Sequence, residues 1–272
     1  STVSLLELYS LTKVKGANPL TFAGLTMGVF VLLSFYNAKL FVIPFELFGE
    51  APNSESQFFL LVLLIAFPVI SIIELFRNNG SALMNVSTTM MGVLYVSFCF
   101  GTLIGLREIF IPSHIPMRNY FHEMNVESNA LLYRWGGYTV VAVYAMIWLC
   151  DSAAYYVGSA MGKHKLFPRV SPNKSWEGAI AGFIFAVVAA VGAKYLFLEY
   201  LHLNEAIILG AIVGVFGQIG DLFESLLKRD AGVKDSSNLI PGHGGVLDRF
   251  DSLLFVSPIV YFYLDFIVFS LS

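Results

Sequence analysis

Seven apolar runs, near residues 20–36, 57–76, 86–106, 135–158, 178–198, 206–227 and 252–270, divide this chain almost from end to end. Each approaches or exceeds the length a helix needs to cross roughly 30 Å of hydrocarbon. Inside lipid a chain must satisfy its own backbone donors and acceptors, so runs of this length fold as membrane helices. The predicted fold class is all-α: a polytopic transmembrane helical bundle with about seven spans. The first run is marginal in length, and 40–48 (LFVIPFELF) is too short to cross, which predicts an interfacial or re-entrant segment. Composition supports the membrane reading, because 57% of residues are hydrophobic and 13% charged, against about 25% charged in soluble domains.

Orientation follows from the basic residues. If the N-terminal segment is cytoplasmic, eleven of the 16 lysines and arginines lie on that side and four on the other, with Lys194 inside a span. The positive-inside rule favours this arrangement. It places loops 159–177 and 228–251 on one face, together with the inner ends of the helices that carry Asp151 and Asp221. The formal net charge of −3 offers no general attraction for nucleic acid, so no nucleic-acid partner is expected and an anionic ligand must be held locally. Cys99 and Cys150 sit within apolar runs without zinc-ligand spacing and read as buried thiols. With no repeat or soluble linker, the chain reads as one integral-membrane domain over 1–272. Residues 1–134 supply N-terminal helices, and 135–272 supply catalytic helices and cytoplasmic loops.

The charges are not spread evenly. Between Ser225 and Asp251, SLLKRDAGVKDSSNLIPGHGGVLDRFD carries eight of the 35 charged residues in 27 positions. Asp221, Glu224 and Lys228 stand at i, i+3 and i+7 and share one helix face, and Asp248 and Asp251 share another at i, i+3. A carboxylate within a membrane helix costs about 2.5 to 3.5 kcal/mol unless a cation, partner or water compensates, which makes these residues functional candidates. Oxygen-only ligands suit Mg²⁺. Pro241, Gly242, Gly244 and Gly245 predict a turn whose backbone amides are exposed to an anion, with Lys234, His243 and Arg249 as charged donors.

This run resembles the signature of CDP-diacylglycerol synthases, or phosphatidate cytidylyltransferases. The match holds in register at Ser225, Lys228, Arg229, Lys234, Asp235, Ser237, Pro241, His243, Gly244, Gly245, Asp248, Arg249 and Asp251. Asp151 and Ser152 with Ala154 and Tyr155, and then Ser171, Pro172, Lys174, Ser175, Glu177 and Gly178, are similar to further family segments. The resemblance covers about residues 135–260. Before it the likeness is in hydropathy, although ELYSLTKVKG around Glu7 looks like the end of an earlier family helix, which would put two more spans ahead of residue 1. The resemblance implies CTP and phosphatidic acid as substrates, CDP-diacylglycerol and pyrophosphate as products, and a homodimer in a bacterial inner membrane with its active site facing the cytoplasm. It assigns Asp221, Asp248 and Asp251 to Mg²⁺, with a place for a second cation at Asp151. Asp221, Asp248, Lys228 and His243 are the expected catalytic residues. Lys174, Ser175, Glu177, Lys228, Arg229, Lys234, Asp235, Gly244, Gly245 and Arg249 are expected at the phosphates and substrates.

Plainer readings stand beside these. Asp221, Asp248 and Asp251 could form an ion-pair network with Lys228 and Arg249, and Asp151 a hydrogen-bonded helix end. Ser171 and Pro172 suit an N-cap and first helical turn. Glu224 could pair with Lys228 at i+4, and Glu177 could favour a helix N-terminus. Glu74 and Arg77 read as a helix-end pair, His164 has no evident partner, and Asp265 lies mid-span. A transporter would also use intramembrane carboxylates, though nearer the midplane. A membrane lipid phosphotransferase of the CDP-alcohol type, which also uses metal-bound aspartates, would carry an Asp-Gly-x-x-Ala-Arg motif, which the sequence lacks.

Overall fold

The computed structural model describes residues 1–36, 54–110, 129–242 and 244–269, with the side chains of 54–60 and 129–133 left aside. The segment 40–48 and His114, His122 and His243 lie outside the described residues.

All seven apolar runs are helical. The elements are α1 (Thr2–Val14), α2 (Thr21–Phe35), α3 (Ser54–Leu75) and α4 (Ala82–Glu108), the last with a π-helical stretch at Val93–Phe98. They continue with α5 (Asn129–Met161), a small hairpin of β1 (Lys165–Phe167) and β2 (Ser171–Ser175), α6 (Trp176–Leu196), α7 (Leu203–Asp230) and α8 (Leu247–Phe262). A π-helical Tyr263–Val268 prolongs α8. Five of these helices, Ala82–Glu108, Arg134–Met161, Trp176–Leu196, Leu203–Asp230 and Leu247–Val268, are long and apolar enough to cross a membrane. Thr21–Phe35 and Leu61–Leu75 are apolar but shorter. The architecture is that of a multi-pass membrane protein.

The hairpin corrects one expectation. Ser171 and Pro172 do not open a helix, because 171–175 is extended and pairs antiparallel with 165–167. Pro172 lacks an N–H and is tolerated on such an edge strand. The helix starts one strand later, where the Ser175 hydroxyl accepts from Gly178 N at 3.2 Å and caps α6.

The chain groups into two compact units. The first comprises Ser1–Gly105 with Asp230–Arg249, so the charged loop packs with the N-terminal helices, an association that linear order does not suggest. Its core forms around Tyr9, which is buried and donates its hydroxyl to Thr89 O at 2.9 Å. Gly24 and Gly92 make room for that ring; a Cβ on either would overlap it. The expected pair of Glu74 and Arg77 forms at 3.5 Å within a larger network. Asn85 donates to Glu74 at 2.6 Å and accepts from Asn18 N at 2.6 Å, while Arg77 donates to Asn18 O at 2.6 Å. These bonds satisfy polar groups at three helix ends that would otherwise be buried at a cost.

The second unit comprises Leu106–Arg229 with Phe250–Ser272. Helices α5 and α6 cross where Gly178 and Gly182 face α5, with a Cβ falling 2.5 Å from Ala154 O and 2.8 Å from Cys150 O. Helix α7 approaches α6 in the same way through Gly210, whose Cβ would lie 2.6 Å from Val187 Cα. Small residues let backbones come this close, the usual device where lipid supplies no hydrophobic drive between helices. At the other end Phe110, Tyr200 and Phe269 stack edge on, and Tyr200 hydrogen-bonds Thr139 at 2.7 Å.

Candidate active site

The close helix crossings bring charged side chains of the second unit together. Cys150 O abuts Gly182, which sets the height of the neighbouring Asp151 beside α6. Strand β2 ends where α6 begins, and from it Lys174 reaches Asp221 on α7, with Nζ to Oδ2 at 2.5 Å. Gly220 precedes Asp221, and its missing Cβ would sit 2.7 Å from Asp251 O and 3.0 Å from Ser252 Cα. Helix α8 therefore lies against α7 at the level of both aspartates. The charges of Asp221 and Lys174 reach Asp151, and those of Asp221, Asp151 and Lys228 reach Asp251. Asp221 also accepts from Ser225 Oγ at 3.3 Å, and Asp251 accepts from Ser252 N at 2.6 Å.

Asp221 and Asp151 thus share the ammonium of Lys174, while Lys228, paired with the buried Glu224 at 2.5 Å, is the ammonium whose charge reaches Asp251. The i, i+4 pairing considered for Glu224 is realised. Among the described residues no three His, Cys, Asp or Glu side chains are gathered into a ready-made metal cage. The donor set nevertheless fits Mg²⁺: it is all carboxylate oxygen with surplus negative charge. That ion commonly keeps several waters and is completed by substrate phosphates, so it does not need a closed protein cage.

The first unit holds the loop between α7 and α8. Gly242 and Gly244 both have positive φ, 73° and 78°, the turn that only glycine adopts without strain. Ile240 N donates to Gly244 O at 3.0 Å across it. Asp248 folds back on this loop, its Oδ2 accepting from Gly245 N at 2.7 Å, Ser236 N at 2.9 Å and Ser236 Oγ at 2.8 Å. The side chain of Glu7 on α1 accepts from Val246 N at 3.0 Å and Leu247 N at 2.6 Å. Of the turn amides expected to face an anionic ligand, that of Gly245 is already engaged by Asp248, and the next two, of Val246 and Leu247, by Glu7. Lys234, Asp235 and Arg249 are exposed, as is Arg229 at the end of α7.

Two further residues take roles the sequence did not disclose. His164 has a partner, since Glu177 accepts from its backbone N at 3.3 Å and meets its Nδ1 at 2.7 Å. Glu177 thus ties the hairpin to the first turn of α6, where its charge also suits the helix N-terminus. Glu7 was legible only as an acidic residue in an otherwise apolar helical segment, and its partners lie about 230 to 240 positions away.

Comparison with known proteins decides the family. The model of the cytidylyltransferase family matches residues 1–267. The chain belongs to this family. A cytidylyltransferase relative from Bacillus subtilis, named phosphatidate cytidylyltransferase, is 34% identical over 267 residues, covering 97% of this chain and 85% of that protein. One of the same name from Staphylococcus aureus is 37% identical over 198 residues, 72% of this chain and 65% of its own length. Another from Staphylococcus haemolyticus reaches 43% over 125 residues, 46% of this chain and 48% of its own. The carboxylates on α5, α7 and α8 and the charged loop all lie within the span that the cytidylyltransferase model matches. Nothing in these likenesses supports a transporter.

Proposed function

We propose that the protein transfers CMP from CTP to phosphatidic acid, giving CDP-diacylglycerol and pyrophosphate for phospholipid synthesis. One observation carries this reading: in a chain of the cytidylyltransferase family, aspartates from three helices lie within reach of one another's charge beside Lys174. A phosphate oxygen of phosphatidic acid attacks the α-phosphorus of CTP; that P–O bond forms, the bond to the β-phosphate breaks, and pyrophosphate leaves with the electron pair. A phosphomonoester already carries about −1.5 to −2 charges near neutral pH, so a general base adds little. The obstacle is the meeting of two anions and the charge that builds on the leaving group, which positioning and cations relieve.

The proposed Mg²⁺ ligands are Asp221, Asp251 and, one turn before Asp251 on the same helix, Asp248. Asp151 is the candidate for a second cation. Bound there, Mg²⁺ would neutralise phosphate charge and stabilise the departing pyrophosphate. Lys174, held by Asp221, presents an ammonium to the same phosphates, and the Glu224 carboxylate fixes the Lys228 ammonium for a similar task. Asp248 holds its loop through Oδ2, which accepts from Ser236 and Gly245. His243, Arg229, Lys234 and Arg249 complete the proposed phosphate contacts, with Ser175 and Glu177 shaping the entry to α6. We place the site at the cytoplasmic face of a bacterial inner membrane, where a lipid headgroup enters sideways and CTP arrives from solution. A homodimer is part of the same proposal. Incubating the purified protein with labelled CTP, phosphatidic acid and Mg²⁺ tests it: a liponucleotide and pyrophosphate in equal amounts are expected, and nucleotide left intact would refute it.

A further inference from the structure

We infer that Glu7 is a positioning residue for the charged loop, acting through the loop and Asp248 rather than on substrate; the inference rests on the function proposed above. Glu7 lies on α1 and is only 6% exposed. A carboxylate buried in an apolar helical segment is costly unless donors surround it, and here three donate to it with a fourth, a hydroxyl, close by. Ser237 Oγ donates to Oε1 at 2.6 Å, Val246 N to Oε1 at 3.0 Å, Leu247 N to Oε2 at 2.6 Å, and Ser236 Oγ lies 3.4 Å from Oε2.

Those donors come from both ends of the loop. Ser236 and Ser237 precede the glycine turn, while Val246 and Leu247 follow it and open α8, where a negative charge also meets the positive end of the helix. One carboxylate therefore closes the loop into a ring. Asp248 makes the complementary closure, and Ser236 is common to both, since its hydroxyl lies within hydrogen-bond distance of Glu7 and of Asp248. The fit is tight: a Cβ at Gly245 would lie 2.6 Å from Glu7 Oε1 and overlap Ser236 Oγ. Lys15, on the turn after α1, pairs with Asp230 at 3.0 Å, so the same N-terminal segment also touches the loop's start. That exposed pair adds little energy. The orientation of Asp248, and through it the cation requirement, depends on Glu7.

Glu7→Gln keeps the size but replaces an acceptor oxygen with an amide that faces an N–H. The experiment measures CTP-dependent turnover against Mg²⁺ concentration in detergent-purified wild type and variant, and trypsin cleavage after Lys234 in the same samples without nucleotide. Glu7→Gln is expected to lose turnover at least tenfold at limiting Mg²⁺, to regain part of it as Mg²⁺ rises, and to be cut after Lys234 several times faster. Ser237→Ala removes a single donor and is expected to move both readouts the same way by less, which serves if Glu7→Gln does not fold. Unchanged Mg²⁺ dependence and cleavage rate in folded variants overturn the inference, whether or not turnover falls. An inactive wild type would refute the proposed function, while the cleavage comparison still reports on the clamp.

Discussion

Replacing Gly220 by alanine tests whether helix packing, and not merely residue identity, builds the acidic cluster. The new Cβ would stand 2.7 Å from Asp251 O, 3.0 Å from Ser252 Cα and 3.1 Å from Phe255 Cβ, so two of the three obstacles are backbone and cannot rotate away. Reaching an ordinary contact of about 3.4 Å requires α8 to move by roughly 0.7 Å relative to α7, and misplacement on the ångström scale costs on the order of a hundredfold in rate. Overpacking of this kind also costs about 1 to 3 kcal/mol of stability. Gly192→Ala is the control, because its Cβ meets nothing within 4 Å, and alanine within a helix gains about 0.5 to 1 kcal/mol over glycine. Pyrophosphate release from CTP in the presence of phosphatidic acid, measured beside thermal unfolding in detergent, reads both effects. Gly220→Ala is expected to lose ten- to a hundredfold in turnover and to melt earlier, with Gly192→Ala matching or exceeding wild type in stability. A Gly220→Ala protein with wild-type turnover and melting would refute the reasoning.

Three other perturbations have defined outcomes. Asp221→Asn keeps the shape but removes the charge that Lys174 and the proposed cation would share, and turnover should fall about a hundredfold or more in a protein that elutes and melts like the parent; steady-state kinetics checks this. Lys228→Met removes the ammonium paired with the buried Glu224 carboxylate and should cost about 3 to 5 kcal/mol in unfolding measurements, much of it recovered by adding Glu224→Gln. Chelation of divalent cations should abolish turnover and restoration of Mg²⁺ should return it, whereas Ca²⁺, with longer bonds and looser geometry, should restore little.

The helices were legible because a 20-residue apolar run has few alternatives in lipid, and each run is helical within a few residues of its expected ends. The hairpin was not legible: five residues of mixed polarity followed by Trp-Glu-Gly carry a helix cap at Ser175 as plausibly as at Ser171, and only pairing with 165–167 decides between them. Spacing placed Asp221, Glu224 and Lys228 on one face and offered the Glu224–Lys228 pair that forms, yet could not tell that Asp221 turns to Lys174. The glycine-rich loop was recognised as a cradle of amide donors, but its occupants were hidden. Carboxylates at positions 7 and 248 take the amides of 245–247 at its end, and no local pattern links residue 7 to residues 236–247. Tertiary hydrogen bonds of that kind leave no periodic trace.

The most direct test of the central claim follows the phosphorus atoms. Wild-type protein and Asp221→Asn are each incubated with phosphatidic acid, Mg²⁺ and CTP labelled either at the α- or at the γ-phosphate. Wild type is expected to move the α-label into lipid and the γ-label into pyrophosphate at equal rates, and Asp221→Asn to do neither at a comparable rate. Label from the γ-position in lipid, or equal transfer by both proteins, would contradict the account.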